Sequence, residues 1–162
     1  MDPTRKIKNL EELKDITRRL KIDGKTVVFA NGCFDLLHVG HIRYLCDARS
    51  LGDALILGIN SDKSVAALKG NGRPLQNARD RAEIVASLMC VDYVLLFDDP
   101  TVDGILKELR PDIHAKGTDY TEKSVPERDT VRSYGGKVVI TGDPKNHASR
   151  DLISNIVTRF SS

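Results

Sequence analysis

Five short apolar runs, "TVVFA" (26–30), "ALILGIN" (54–60), "DYVLLF" (92–97), "IHAKG" (113–117) and "KVVIT" (137–141), recur along the chain with helix-patterned stretches between them. Runs that are apolar throughout, rather than alternating, suit strands buried on both faces, which is the condition of a parallel sheet under helices. Helical patterns fall near 41–50, 62–69, 78–89, 101–109, 124–134 and 149–160. The expected architecture is therefore α/β, a doubly wound five-stranded parallel sheet. With strand order 3-2-1-4-5, the ligand crevice opens at the carboxyl ends of the first and fourth strands, where the order reverses. The loops "NGCFDLLHVGH" and "KGTDY" would then face each other across it.

Ahead of the sheet, "NLEELKDITRRLK" carries Asn9 as a cap, Glu12 three residues later, and Leu10, Leu13, Ile16 and Leu20 at helical spacing. The spacing predicts one amphipathic helix ending near Gly24, so residues 1–24 form a helical extension and 25–162 a Rossmann-like core, in a single domain. Thr101 is placed to cap the helix after the third strand and Arg110-Pro111 to stop it, and Gly135-Gly136 suits a left-handed helix end. "LKGNGRPLQN" (68–77), with two glycines, a proline and two cations, reads as a mobile loop.

Composition narrows the function. The 25 basic and 23 acidic side chains nearly cancel, so the broad positive field of a nucleic-acid backbone binder is missing and phosphate recognition has to be local. Three scattered cysteines, Cys33, Cys46 and Cys90, contain no CxxC pair, which argues against a disulfide framework or structural zinc. No stretch approaches the roughly 20 apolar residues of a membrane span, and a soluble cytoplasmic protein is expected.

In the first loop, His38 and His41 flank Gly40 where a helix begins, and the first N–H groups of a helix have no partner within it. Residues alone leave three readings: a phosphate site formed by two imidazoles and a helix start, two histidines filling a turn, or part of a zinc site. The last lacks further ligands at suitable spacing, since His114 and His147 stand apart in sequence; no metal ligand is assigned. "NGCFDLLHVGH" does not match the GxGxxG dinucleotide fingerprint.

"GCFDLLHVGH" resembles the HxGH nucleotidyltransferases. The longer series "NGCFDLLHVGHIRYL", "GINSDKSVAALKGNGRP", "DRAEIVASLMCVDYVLLFDDPT", "KGTDY" and "GDPKNHASRDLI" is similar, in order, to the D-glycero-β-D-manno-heptose 1-phosphate adenylyltransferases. The resemblance covers residues 25 to 160 and implies transfer of AMP from ATP to a sugar 1-phosphate, with Mg2+ accompanying the ATP. It implies the adenylyltransferase alone, without the sugar-kinase domain that often accompanies it, and a homodimer; the apolar "VASLMCVDYVLLF" is the expected contact.

By the same resemblance, His38, His41 and Lys69 are the catalytic group, donating to phosphate oxygens rather than acting as nucleophiles. Asn31, Gly32, Cys33, Phe34 and Asp35 form the floor of the nucleotide site, with Gly40 at the helix start and Arg73 above. Lys116, Gly117 and Asp119 stand on the facing loop, and Ser149 at the last helix as a cap and anion contact. Asp35 could equally hold the loop or a histidine tautomer instead of touching ligand. Cys33 suits loop packing better than nucleophilic attack, because a phosphate acceptor already supplies the nucleophile. Relatives place two or three hydroxyl residues ahead of the last helix, whereas this chain has Ala148, Ser149 and Arg150. Related acceptors and bases, a glycerol 3-phosphate cytidylyltransferase or an FAD synthetase, are the alternatives, along with a non-catalytic nucleotide-binding regulator.

Overall fold

Residues 2–144 and 146–161 are described by a computed structural model. Its elements run, after a 3-10 turn at Pro3–Lys6, α1 (Leu10–Ile22), β1 (Val27–Gly32), α2 (Val39–Ser50), β2 (Ala54–Asn60), α3 (Asp62–Lys69), α4 (Ala78–Ala86), β3 (Tyr93–Phe97), α5 (Asp103–Leu109), β4 (Ile113–Gly117), α6 (Arg128–Ser133), β5 (Lys137–Thr141) and α7 (Ser149–Phe160). The strands are all parallel, in the order β3-β2-β1-β4-β5. Sequence expectation and structure agree on this topology.

Strand alternation divides the core into two layers. Val28, Ala30, Leu55, Leu57 and Ile59 pack with Leu45 and Ala48 of α2 and with Ala82, Val85 and Ala86 of α4. Val27, Phe29 and Ile56 turn to the other face, against Leu13 of α1, Ile105, Leu106 and Leu109 of α5, and Val131 of α6. The N-terminal helix is thus part of the core. Asn9 and Glu12 form its capping box, each side chain bonding the other's backbone N–H.

The amino end of the sheet is stitched by a repeated device. Asp53, Asp92 and Asp112 stand just before β2, β3 and β4, and each accepts at 2.8 Å from a backbone N–H at the start of a neighbouring strand: Thr26, Leu55 and Val27 respectively. Register is set there by side chains, which leaves the carboxyl end for chemistry. At one edge Ile7 bridges to Val94 in parallel fashion and the Lys8 N–H donates to Val94 O at 2.8 Å, so the N-terminal segment covers β3.

Several boundaries differ from expectation. Val102, not Thr101, takes the cap position of α5, with no side-chain cap bond. Arg110 ends α5 in the left-handed region at φ 47°, ahead of Pro111. The stretch expected as helix from 124 begins with a Thr121–Ser124 turn, and α6 starts only after Glu127. Gly135 does end α6 with φ +86°, and Gly136 N–H reaches back to Val131 O at 3.0 Å. From the apolar 85–97 region only Met89 protrudes fully; Val85, Ala86, Val91, Val94, Leu95 and Phe97 are spent inside the molecule. No helix among the described residues is long and apolar enough to cross a membrane.

Leu13 is fully buried although it lies in the N-terminal extension. Leu13→Ala is expected to lower stability by about 2–4 kcal/mol, read as a fall in the urea midpoint with an unchanged slope.

Candidate active site

β1 and β4 end side by side, Ala30 in register with Ala115. One residue beyond, Lys116 Nζ donates to Asn31 Oδ1 at 3.2 Å, so the two predicted loops do face each other. Lys116 also lies 5.0 Å from the centre of the Tyr120 ring. Gly117 closes β4, and Asp119 is exposed on the loop that follows.

The imidazoles form a stack. His38 occupies the N-cap position of α2 and His41 its first turn, with ring centroids 3.8 Å apart and planes 19° from parallel. Phe34 backs His41 at 5.1 Å. Gly40 permits this arrangement, since a Cβ there would lie 3.1 Å from the His38 ring and 3.3 Å from Cβ of His147. His147, remote in sequence, thus comes to the site, its ring 6.2 Å from that of His38. His41 Nδ1 is buried with no hydrogen-bond partner. Burial, then the His38 and Lys69 charges, push the His41 pKa down from 6.5 to about 4, so the ring is neutral in the free protein at neutral pH.

At the floor of the crevice the side chains take up definite partners. Asp35 is buried, and its carboxylate accepts from Arg73 Nε at 2.7 Å and from the backbone N–H groups of Leu75 (2.8 Å) and Gln76 (3.0 Å). Burial alone would raise its pKa, but these bonds hold it below the ordinary aspartate range. Asp35 therefore organises the loop, and Nε of Arg73 is engaged in that ion pair. The 73–77 half of the loop expected to be mobile is anchored at several points. Lys69, the last residue of α3, remains exposed.

Phe34 sits at φ 47° with its ring tucked under Gly32, where a Cβ would come within 2.8 Å of that ring. The missing side chain of Gly32 thus makes room for Phe34. Cys33 Sγ donates to Asn60 Oδ1 at 3.8 Å, and burial pushes its thiol pKa up, which suits packing and not attack. Ser149 is not the cap of α7. Ala148 holds that position, and the Ser149 hydroxyl donates to Leu36 O at 2.9 Å, tying the start of α7 to the first loop.

Arg81 is the residue that sequence reading missed. It is fully buried and donates to Cys33 O at 2.6 Å, Gln76 O at 3.0 Å and Asp62 Oδ1 at 2.8 Å. One guanidinium thereby joins the first loop, the anchored loop and the start of α3. The sequence signal is its place on the inward stripe of α4 with Ala82, Val85 and Ala86, where a cation is out of pattern.

A doubly wound parallel sheet whose first strand leads through a glycine-bearing loop into a helix headed by HxGH, facing a lysine at the end of the fourth strand, defines a nucleotidyltransferase. The model of the cytidylyltransferase-like family matches residues 29–155, and the chain belongs to that family. The bifunctional protein HldE of Syntrophotalea carbinolica is 48% identical over 155 residues, 96% of this chain and 32% of that protein. HldE of Geobacter sulfurreducens is 47% identical with the same shares. The chain thus spans about a third of the length of the curated relatives it matches. The crystal structure of the lipopolysaccharide core biosynthesis protein from Thermoplasma volcanium is similar at 30% identity with a TM-score of 0.64, covering 75% of this chain and 100% of that one.

Two measurements check this geometry. Arg81→Met leaves three acceptors without their donor and is expected to cost about 3–5 kcal/mol, whereas Asp62→Asn, at the half-exposed partner, should cost under about 1 kcal/mol; urea unfolding separates them. The unfolded chain protonates His41 near 6.5 and the folded one only near 4. The resulting penalty is absent above 6.5 and grows as pH falls toward 4. In NMR titrations of the protein the His41 ring should move near pH 4.

Proposed function

We propose that this nucleotidyltransferase transfers AMP from ATP to a sugar 1-phosphate, D-glycero-β-D-manno-heptose 1-phosphate being the acceptor that the resemblance and the HldE relatives favour, with ADP-heptose and pyrophosphate as products. The observation that carries the reading is the stacked His38–His41 pair at the start of a 12-residue helix, across the crevice from Lys116. Imidazole N–H groups and a helix start suit an anion in which charge is building.

The acceptor phosphate, with a second pKa near 6, is already mostly anionic at neutral pH. It attacks the α-phosphorus; the new P–O bond forms as the bond to the departing pyrophosphate breaks. No general base is required. The protein's task is in-line placement and stabilisation of negative charge. His41, neutral in the free site, can take up a proton as the polyphosphate arrives, and both of its ring nitrogens are then donors. Exposed Lys69 is free of the Asp35 anchor that holds Arg73, which makes Lys69 the cation to close over the triphosphate.

Magnesium enters with ATP as part of the substrate. The crevice offers imidazoles and ammonium groups, and the one carboxylate of its floor, Asp35, is already engaged by three donors. Such donors do not fit a resident Mg2+, which seeks oxygen ligands. Among the described residues no group of three or more His, Cys, Asp or Glu side chains is placed to hold a metal.

The test is pyrophosphate release across a panel of nucleotides and acceptors. Release is expected with ATP and the heptose 1-phosphate, and His41→Ala should lower kcat by at least about 10²–10³-fold while leaving the urea midpoint near that of the wild type. Release with CTP and glycerol 3-phosphate instead would assign cytidylyl transfer. Silence with every nucleotide and phosphate acceptor would end the enzymatic reading in favour of a nucleotide-binding regulator.

A further inference from the structure

Lys116 and Glu127 are buried together, with side chains 8% and 7% exposed. Stripping both of water costs several kcal/mol, which attraction repays only in good geometry. Here the geometry is loose: Lys116 Nζ lies 3.4 Å from Glu127 Oε2, and the same oxygen lies 3.7 Å from Nε2 of fully buried His114. Neither contact is a well-aligned hydrogen bond, for Oε2 and both His114 ring nitrogens lack a partner in good hydrogen-bond geometry. A pair selected for stability would be tighter, or replaced by apolar side chains of the same volume. Position supplies the other argument, because the same ammonium donates to Asn31 at the crevice.

The charged and titratable groups around Lys116 come from every neighbouring element. Glu127 caps α6 and Asp103 opens α5, and both act on Lys116 as opposing charges. His114 is on its own strand, Tyr120 on the loop beyond, and Tyr44 of α2 donates its hydroxyl to Ala115 O at 2.9 Å. Burial pulls the lysine pKa down, and Glu127 is the foremost opposing influence. Against its own burial, Glu127 is held down at about 2 by His114 and Lys116, while burial keeps His114 below the ordinary histidine range. At neutral pH Glu127 is a carboxylate and His114 a neutral ring.

We infer that Glu127 is a positioning residue for nucleotide binding: it keeps Lys116 an ammonium at the joined ends of β1 and β4, loosely enough for that charge to be shared with an arriving anion. The inference rests on the reading of Lys116 as a nucleotide-side group. Removing the carboxylate's charge should let Lys116 lose its proton at lower pH, so nucleotide affinity should fail earlier on the alkaline side while changing little at pH 7.

The experiment uses the full chain with ¹³C at lysine Cε, the Lys116 signal being assigned by its loss in Lys116→Arg. Glu127→Gln is expected to lower the Lys116 titration midpoint by at least about one pH unit, and to weaken Mg-ATP binding about tenfold at pH 9 but under about threefold at pH 7. Glu127→Asp should shift the midpoint the same way by a few tenths of a unit and restore most of the affinity at pH 9. A Glu127→Gln protein that loses thermal stability yet leaves the midpoint and the alkaline limb in place would overturn the assignment. Where Glu127→Gln does not fold, an unmoved midpoint in Glu127→Asp overturns it equally. Wild-type protein that fails to bind Mg-ATP removes the nucleotide reading itself, and the two failures are distinguishable because the lysine titration needs no ligand.

Discussion

The crevice depends on one buried guanidinium. Arg81 reaches the loop after β1, the loop before α4 and the start of α3, donating to two backbone carbonyls and one carboxylate. A charge in that place is tolerable only because every contact is a charge-assisted hydrogen bond. Asp35 does the complementary work with the opposite sign, gathering Arg73 and two backbone N–H groups from the same loop. Together they turn a glycine- and proline-bearing connection into a wall against which the imidazole pair is held.

The sheet divides its labour between its ends. Aspartates ahead of β2, β3 and β4 satisfy neighbouring strand starts at the amino end. At the carboxyl end the polar groups of Asn31, Lys116 and the HxGH turn are directed toward one crevice. The site is rigid where it borders the sheet and exposed at Lys69, which sits at the end of a helix rather than inside a ladder. That contrast suits a reaction driven by placement and charge.

Topology was legible in the sequence because apolar runs and helical stripes are properties of neighbouring residues. The capping box at Asn9 and Glu12 and the helix bounds of 62–69 and 149–160 were readable for the same reason. The pairing of Asp35 with Arg73, the burial of Arg81 and the arrival of His147 beside His38 were not, since each joins side chains far apart in the chain. Asp35 illustrates the difficulty: a carboxylate beside two histidines fits a tautomer-holding role equally well until the loop that claims it is in place. Ser149 misled by its type, a good capping residue that stands one position too late and bonds Leu36 instead.

The bridge of Ile7 to Val94 leaves the sheet's two margins with different protection. On the β3 side the chain's own backbone takes up hydrogen-bonding capacity that another strand would seek. On the β5 side, safety rests on brevity and charge: the strand has five residues, and around the depression beside it, about 300 Å³, Glu122, Arg128, Arg132 and Lys137 surround the small and apolar Gly136, Val138 and Val139. Charged borders deter edge-to-edge association, but they do so electrostatically. Colloidal behaviour of this protein should accordingly be governed by salt at one margin and by the attachment of its first residues at the other.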